Sequence, residues 1–321
     1  MVLARLLPRV SILILISIFI LPIFSRGETT YLPRTGQTKI YQTGDDGYWR
    51  KGVGWFPPRF KDNGDGTMTD TLTGLMWLKD ANYAKTIGHD PDGTGDGRMT
   101  WEHALDFVKT INVGGYTDRR LPNINELMSL VNYGLEDQSP WLRYHGFRNI
   151  EADFAHPSRY WSSSHGYYKD HAYTIRWYDA YIYPERKSWV GAKFFVWLVR
   201  GNPESPPAKV WQPGQEKYYD TDESWISCEG TGQDGEIRAG ADWPVPRFTD
   251  HGDGTVTDNL TGLMWTKDAR ITITQGLGHL SWKDAINFCN NLELGGYTDW
   301  RLPNVNEMRS LIDFSRLSGS Q

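Results

Sequence analysis

The sequence predicts an α+β fold that occurs twice along the chain of 321 residues. One observation is that GGYTDRRLPNINELMSLV at 114–131 returns as GGYTDWRLPNVNEMRSLI at 295–312. Another is that 19 of 24 positions are identical between residues 58–81 and 246–269. Short runs of β-branched and aromatic residues, divided by Gly-rich turns, predict a hairpin and a third strand ending near Trp77. Residues with helical periodicity follow in both copies, so each repeat combines strands and helices.

Two amphipathic helices are predicted in each repeat. The first begins after an N-cap candidate, Thr100 or Ser281, and the second follows the Leu-Pro step. Asn123 and Glu126 have the spacing of a capping box, which explains the glutamate structurally and leaves a catalytic role as the alternative. We expect the apolar faces to be core, and they comprise Trp101, Ala104, Leu105, Val108, Ile111, Ile124, Leu127, Leu130 and Val131 with their counterparts Trp282, Ala285, Ile286, Cys289, Leu292, Val305, Met308, Leu311 and Ile312.

The repeats define the domain organisation. Residues 1–27 read as a secretory signal, because basic residues precede a 15-residue apolar run and small residues precede a cleavage point before Glu28. An uncleaved N-terminal anchor is the alternative, and it would be the only contact with a membrane. Residues 32–201 form a complete unit, 202–209 a linker rich in Pro, and 210–321 a second unit lacking the later strands. We expect the first unit to fold alone, with an open sheet edge in the second.

Composition limits the partners of the chain. The net charge of −5 argues against nucleic acid as a partner. Cys228 and Cys289 are the two cysteines, and export would permit a disulfide. Cys289 also fits as a small buried side chain, because it aligns with Val108 on the apolar helix face.

Several motifs together resemble one known family, the C-terminal domain family of the Legionella collagen-like protein. The resemblance covers the first unit and the front of the second. It is carried by the hairpin GDGTxTDxLTGLMW, the helix TWEHA, GYTDRRLPNINEL, YWSSS at 160–164 and WLVRG at 197–201. More distantly, the order of elements is similar to the C-type lectin-like fold of formylglycine-generating enzymes.

The resemblance implies a mixed, mostly antiparallel sheet with two flanking helices. It carries no enzymatic residues, because the first unit contains no cysteine, and no Glu-Pro-Asn or Gln-Pro-Asp triplet of calcium-dependent lectins is present. What transfers is an exported binding domain of the cell surface or periplasm, with glycan adhesion attested for the namesake. The resemblance also implies a possible homo-oligomer.

Residues 141–200 are the predicted ligand surface. They hold nine basic and five acidic residues, a balance of +4 in an acidic chain. Aromatic rings stack on sugar faces and guanidinium groups bind sulfate or carboxylate, so this composition suits an acidic glycan. A surface protein is the alternative partner, since Tyr, Trp and Arg are typical of protein interfaces, and a solvated basic rim on an aromatic core is another. The predicted contact residues are Arg176, Trp177, Tyr178, Tyr181, Arg186 and Lys187.

The candidate catalytic and metal-binding residues lie in two separate stretches of the sequence. Ser162, Ser163, Ser164 and His165 are adjacent in sequence, but a catalytic triad forms by spatial convergence, so a hydrolase is a remote alternative and we expect no enzymatic activity. The loop at 89–98 places Asp90, Asp92 and Asp96 where carboxylates could converge on calcium. An acidic surface loop reversed by its glycines explains the same residues.

Overall fold

The structure is a computed structural model that describes residues 29–91, 93–153, 158–189, 191–201, 205–220, 223–224, 226–227 and 229–316. The described residues include four regions: the first leader (29–55), the first body (58–201), the second leader (208–243) and the second body (246–316). The predicted signal (1–27) and Cys228 lie outside the described residues. Within the described part of the chain, no helix is long and apolar enough to cross a membrane.

The first body contains two antiparallel sheets and four helices. One sheet has the order β1-β2-β3-β7 and the other has the order β4-β5-β6. In chain order, after α1 of the first leader (Asp46–Trp49), the elements are β1 (Phe60–Asp62), β2 (Thr67–Asp70), β3 (Met76–Leu78), α2 (Tyr83–Thr86), α3 (Trp101–Thr110), α4 (Ile124–Ser129), α5 (Gln138–Tyr144), β4 (Arg159–His165), β5 (His171–Arg176), β6 (Tyr181–Arg186) and β7 (Val199–Arg200).

The second body has the front part of this arrangement. Its three strands have the order β10-β9-β8, so β10 is an edge strand where β3 is flanked by β7. The remaining elements are α6 of the second leader (Asp234–Ile237), β8 (Phe248–Asp250), β9 (Thr255–Asp258), β10 (Met264–Thr266), α7 (Ile271–Thr274), α8 (Trp282–Asn290) and α9 (Val305–Ser310). The predicted α+β class and duplicated hairpins are therefore confirmed, although the first body divides its strands between two sheets.

Local sequence signals set the helix starts. Thr100 and Ser281 are N-caps of α3 and α8, and both side chains accept a backbone N–H. Asn123 and Glu126 form a complete capping box at α4, which Asn304 and its glutamate repeat at α9. Such boxes satisfy amide donors that the first helical turn leaves free. The structural interpretation of Glu126 is thus confirmed.

A mostly buried arginine links each hairpin to the helix that carries the capping box, α4 or α9. Arg59 Nε donates to Asp70 Oδ1 at 3.3 Å and its NH2 donates to the Ser129 carbonyl at 2.5 Å. Arg247 makes the same contacts, to Asp258 Oδ1 at 2.6 Å and to a carbonyl at the end of α9. The hairpin and the helix therefore dock in the same way in both bodies.

The core of the first body is aromatic. The rings of Trp77, Trp177 and Tyr160 surround Trp197, with centroid separations of 5.4, 5.6 and 6.2 Å. All four side chains have no exposed surface. These four aromatic side chains thus stabilise the fold by burial, which removes them from any ligand surface.

In the second body the expectation that the helix faces are core is confirmed for Ile286 and Leu292, which are buried, and is wrong for the exposed residues. Met308 is 52% exposed, whereas its counterpart Leu127 is fully buried. Trp282 is 52% exposed, against 1% for Trp101. Val305, Leu311 and Ile312 are exposed as well, because no strands cover this face in the described residues. Cys289 is a half-buried free thiol on α8, and burial raises its pKa.

Each leader also packs against the other repeat's body. Asn306 Nδ2 of the second body donates to the Pro33 carbonyl of the first leader at 3.0 Å. The matching pair in the first body is Asn125 Nδ2 and the Trp211 carbonyl of the second leader, at 3.1 Å. The linker divides the sequence into two repeats, but the leaders pack across that division. Independent folding of residues 32–201 therefore stays a prediction.

The second leader lies against β4. Gln215 accepts from the His165 amide at 3.0 Å and donates back to the His165 carbonyl at 2.7 Å. Asn123 Nδ2 donates to the Ala239 carbonyl at 2.9 Å. Backbone groups of the first body that would otherwise be unsatisfied are therefore paired by the second leader.

Candidate functional site

The β5–β6 hairpin places two tyrosines side by side on an outer strand. Tyr181 and Tyr183 are two residues apart on β6, so their side chains point to the same side of the sheet. They are 52% and 42% exposed, and their ring centroids lie 6.1 Å apart with 32° between the planes. Because β6 is the last strand of its sheet, both rings are open to solvent.

Two arginines border these rings. The Arg159 guanidinium lies 4.7 Å from the centre of the Tyr183 ring, and that of Arg176 lies 5.8 Å from the Tyr181 ring. Strand register explains the arrangement, because Arg159 pairs with Arg176 and Arg176 pairs with Tyr181 across β4, β5 and β6. We call Arg159, Arg176, Tyr181 and Tyr183 the tyrosine platform.

Both platform arginines are ion-paired. Arg159 contacts Glu185, and Arg176 contacts Asp179 through two hydrogen bonds, one of them 2.9 Å between Nε and Oδ1. The hydrogen bond from Arg176 lowers the pKa of Asp179, so that carboxylate is charged at neutral pH. The positive charges of Arg159 and Arg176 are cancelled by the negative charges of Glu185 and Asp179. The platform therefore does not carry the net positive charge that residues 141–200 have as a whole. An anionic ligand would have to replace Asp179 at Arg176.

Two of the predicted contact residues are not on this surface. Trp177 is fully buried in the aromatic core, and Lys187 is 2% exposed. The prediction that they contact a ligand is therefore wrong for this fold, because each follows the end of a strand and turns inward, Trp177 against Trp197 and Lys187 against Trp101. Tyr178 is 39% exposed in the turn that joins β5 to β6, close to Tyr181 in sequence.

Arg186 is separated from the platform. It is five residues beyond Tyr181 on β6, about 17 Å along an extended strand, and it points to the opposite side of the sheet. Its Nε lies 2.9 Å from Asp170 Oδ2. The structure thus brings Arg176 and Tyr181 together and leaves Arg186 at the far end of the strand.

Lys187 instead holds the second leader in place. Its Nζ donates to the carbonyls of Tyr219 at 2.8 Å and Lys169 at 3.0 Å, and it lies 4.4 Å from the Trp101 ring centre. Burial lowers the pKa of Lys187 to about 7, against the opposing effect of Asp220 and Asp170. This role of Lys187 is not visible in the sequence, because Tyr219 comes from the other side of the linker.

A comparison with protein families shows to which family the chain belongs. The model of the Lcl C-terminal domain, the Legionella collagen-like C-terminal domain, matches residues 66–200 and 254–320. The chain belongs to the Lcl C-terminal domain family. The two matched segments correspond to the two bodies. Searches of curated proteins and of solved structures found no match.

The serines of the first Lcl C-terminal domain are buried in β4. Ser162 Oγ donates to the Tyr173 carbonyl at 2.7 Å, and Ser164 Oγ donates to Asp234 Oδ2 at 2.8 Å. His165 is also buried, and burial lowers its pKa to about 4. These side chains join β4 to its neighbours, which accounts for the YWSSS motif structurally.

The acidic loop of the first Lcl C-terminal domain uses its carboxylates internally. Asp90 accepts from the amides of Thr94 at 3.0 Å and Gly95 at 2.8 Å. Asp96 accepts from Arg98 Nε at 2.7 Å. Asp92 lies outside the described residues, and among the described residues there is no group of three or more His, Cys, Asp or Glu side chains that could hold a metal ion. Calcium binding here stays a prediction.

Sequence reasoning missed part of the platform. Tyr183 has a visible signal, because the pattern Tyr181-x-Tyr183 on a strand places both rings on one side. Arg159 has no such signal in the sequence, because it lies on β4 and reaches Tyr183 on β6 through strand pairing. Asp179 could have been noticed three residues after Arg176, a separation at which a tight turn brings opposite charges together.

Proposed function

We propose that this member of the Lcl C-terminal domain family is an exported, non-enzymatic module that binds acidic glycans through the tyrosine platform. The observation that supports the proposal is the pair of exposed rings on β6, each with a guanidinium group within 6 Å. Stacked rings bind the apolar face of a sugar, and Arg176 supplies a planar donor pair for a sulfate or carboxylate.

Charge governs the expected specificity. The Asp179 carboxylate accepts a hydrogen bond from Arg176 in the free protein, so a ligand anion competes with this intramolecular carboxylate for the guanidinium group. A neutral sugar would gain only the ring contacts. An acidic sugar gains those contacts and the Arg176 ion pair once Asp179 turns away, and that gain weakens as salt screens the charges.

Titration with a heparin oligosaccharide tests the proposal. Replacing the rings by Tyr181→Ala and Tyr183→Ala should each lower the affinity about tenfold, because each removes a stacking surface. Asp179→Asn should raise the affinity several-fold at low salt, because it frees Arg176 from its competing carboxylate. Tyr144→Ala is the matched control, since Tyr144 is 87% exposed in the same body away from the platform.

The outcome of this titration distinguishes glycan binding from the alternative, binding of a surface protein. Failure of the full chain to bind heparin at low salt, or equal binding by the Tyr181→Ala and control variants, would remove the glycan proposal. Affinity for a neutral sugar with no response to Asp179→Asn would remove its acidic part. Recovery of secreted protein beginning at Glu28 would support export.

Two further parts belong to the proposal. The C-type lectin-like assignment is supported by the succession of helices, buried YWSSS strand and closing Val-Arg strand. Superposition of an experimental structure on that fold would test it.

A protein-assembly role is the second candidate function, favoured by the exposed apolar helix face of the second body.

A further inference from the structure

A small cavity lies where the two repeats meet. Its wall includes Trp55 of the first leader, Met128 of α4, Trp211 of the second leader and Arg309 of α9. About 10 Å³ is open to the centre of a water-sized sphere, which is room for one group of the size of a water molecule. All four regions of the chain therefore contribute to one small space.

The charged side chains in the cavity wall are all cationic. They are Arg34, Lys209 and Arg309, and among the described residues no aspartate or glutamate lines the cavity. Arg34 and Lys209 are half-buried, whereas Arg309 is 6% exposed. Walls of one charge sign and low polarity concentrate ions of the opposite sign, so this cavity attracts an anion.

Arg309 is buried beside neutral partners. Its Nη1 donates to the Tyr133 hydroxyl at 3.2 Å and to Asn306 Oδ1 at 3.3 Å, and its Nε is buried without a hydrogen-bond partner. Burial lowers the pKa of Arg309 and Tyr133 acts against this effect, but a guanidinium group stays charged at neutral pH. Because a buried charge without an opposite charge is costly, an anion at this point would stabilise the fold.

The repeat offers a comparison for this unpaired charge. Arg59 of the first body is 3% exposed, but it is ion-paired with Asp70. At the position equivalent to Arg309 the first body has Met128, an apolar residue. The shared framework therefore does not require a cation at this position, and the buried charge is a feature of the second repeat.

A second donor lines the same cavity. Trp211 is 4% exposed, its Nε1 has no hydrogen-bond partner, and its ring centre lies 6.0 Å from the Arg309 guanidinium. Water is the alternative occupant, because it could accept from both donors and donate to Asn125 Oδ1, which also lacks a partner. Water would satisfy these hydrogen bonds, but it would leave the charge of Arg309 uncompensated.

We infer that this cavity binds one small monovalent anion of the size of chloride, which accepts hydrogen bonds from Arg309 Nε and Trp211 Nε1. Arg34 and Lys209 would attract the ion without needing to touch it. Because the wall combines both leaders with α4 and α9, the bound anion would hold the two repeats together. The inference is independent of glycan binding, since no residue of the tyrosine platform lines the cavity.

Thermal unfolding of the full chain tests the inference with chloride as the probe. Sodium chloride replaces sodium gluconate at constant ionic strength, so that general screening of charges stays the same. We expect the unfolding midpoint to rise with chloride and to saturate, because a ligand of the folded state stabilises it. Arg309→Met should abolish the rise, and in gluconate this variant should be at least as stable as the wild type, since it removes an uncompensated charge.

Two further variants make the test specific. Trp211→Phe keeps a buried ring but removes the Nε1 donor, so it should weaken the response to chloride. Arg316→Met removes an arginine of the second body whose side chain is 77% exposed, and it should leave the response unchanged.

Crystals grown in sodium bromide provide the direct test. An anomalous peak in the cavity beside Arg309 Nε is expected. A water molecule there without anomalous signal would overturn the inference. So would a midpoint that does not respond to chloride, or an equal response in the wild type and in Arg309→Met.

Discussion

The hydroxyl of Ser164 donates a hydrogen bond of 2.8 Å to Oδ2 of Asp234, and both side chains are buried. The bond joins β4 of the first body to α6 of the second leader. Burial raises the pKa of Asp234 to about 7, and the nearby Glu126 acts in the same direction. A contact between the repeats is therefore sensitive to pH near neutrality.

Replacing Asp234 by Asn should remove this sensitivity. The folded protein keeps a proton on Asp234 that the unfolded chain releases above pH 4, so the free energy of unfolding falls as pH rises from about 4 to about 7. The upper limit of this loss is about 4 kcal/mol for a pKa difference of three units. Asp234→Asn should be more stable than the wild type at pH 8, and the difference should shrink steadily as the pH falls to about 4, as measured by urea unfolding.

Asp46 provides the matched comparison for that experiment. It is the counterpart of Asp234 in the first leader, where it is less buried and accepts from Thr35. Burial raises its pKa as well, so Asp46→Asn should change stability in the same direction but less. Equal responses of the two variants, or no pH-dependent difference for Asp234→Asn, would contradict the proposed cause.

Removing the second leader should weaken the first body. A chain ending at residue 209 loses the partners of Asn125, Lys187 and His165. Each buried group left without a partner costs about 1–3 kcal/mol. We expect a lower unfolding midpoint and faster proteolysis than in the full chain. A truncated protein that is as stable as the full chain would instead support the prediction that residues 32–201 fold alone.

The capping glutamates should contribute to stability in proportion to their burial. Glu126 is 1% exposed and binds Arg120 and the Asn123 amide. Glu126→Ala leaves the mostly buried Arg120 guanidinium without its carboxylate and with only the Gly201 carbonyl as partner, at a cost of up to about 3–5 kcal/mol. The same change at Glu307 should cost slightly less, because its partner Arg301 is 18% exposed against 12% for Arg120. Thermal melts of both variants measure the difference, and a larger loss at Glu307 would refute this explanation.

Calcium should stabilise the first body if the loop at 89–98 binds it. At a hundredfold excess over the dissociation constant the expected gain is about 2.7 kcal/mol. Binding would require Asp96 to leave Arg98, so Asp96→Asn should abolish the shift. Melting curves in millimolar calcium and in chelator make the comparison, and identical midpoints would show that the loop is a surface turn.

The sequence was sufficient for features that depend on neighbouring residues. The hairpins, N-caps and capping boxes follow from turn chemistry and from hydrogen bonds that span three residues, so Thr100 and Asn123 could be assigned without coordinates. The duplication could be read directly, because identical segments adopt the same local structure.

The tertiary structure decided which of these surfaces are covered. Leu127 and Met308 occupy equivalent positions of equivalent helices, yet one is buried and the other is exposed, because β4 and β5 pack on α4 and no counterpart of these strands is present among the described residues of the second body. For the same reason Trp177 and Tyr181 differ in exposure although both are aromatic residues of one hairpin. Whether a side chain is buried depends on which strand, distant in sequence, packs on it. Local sequence patterns do not determine this packing, because it is a property of the whole fold.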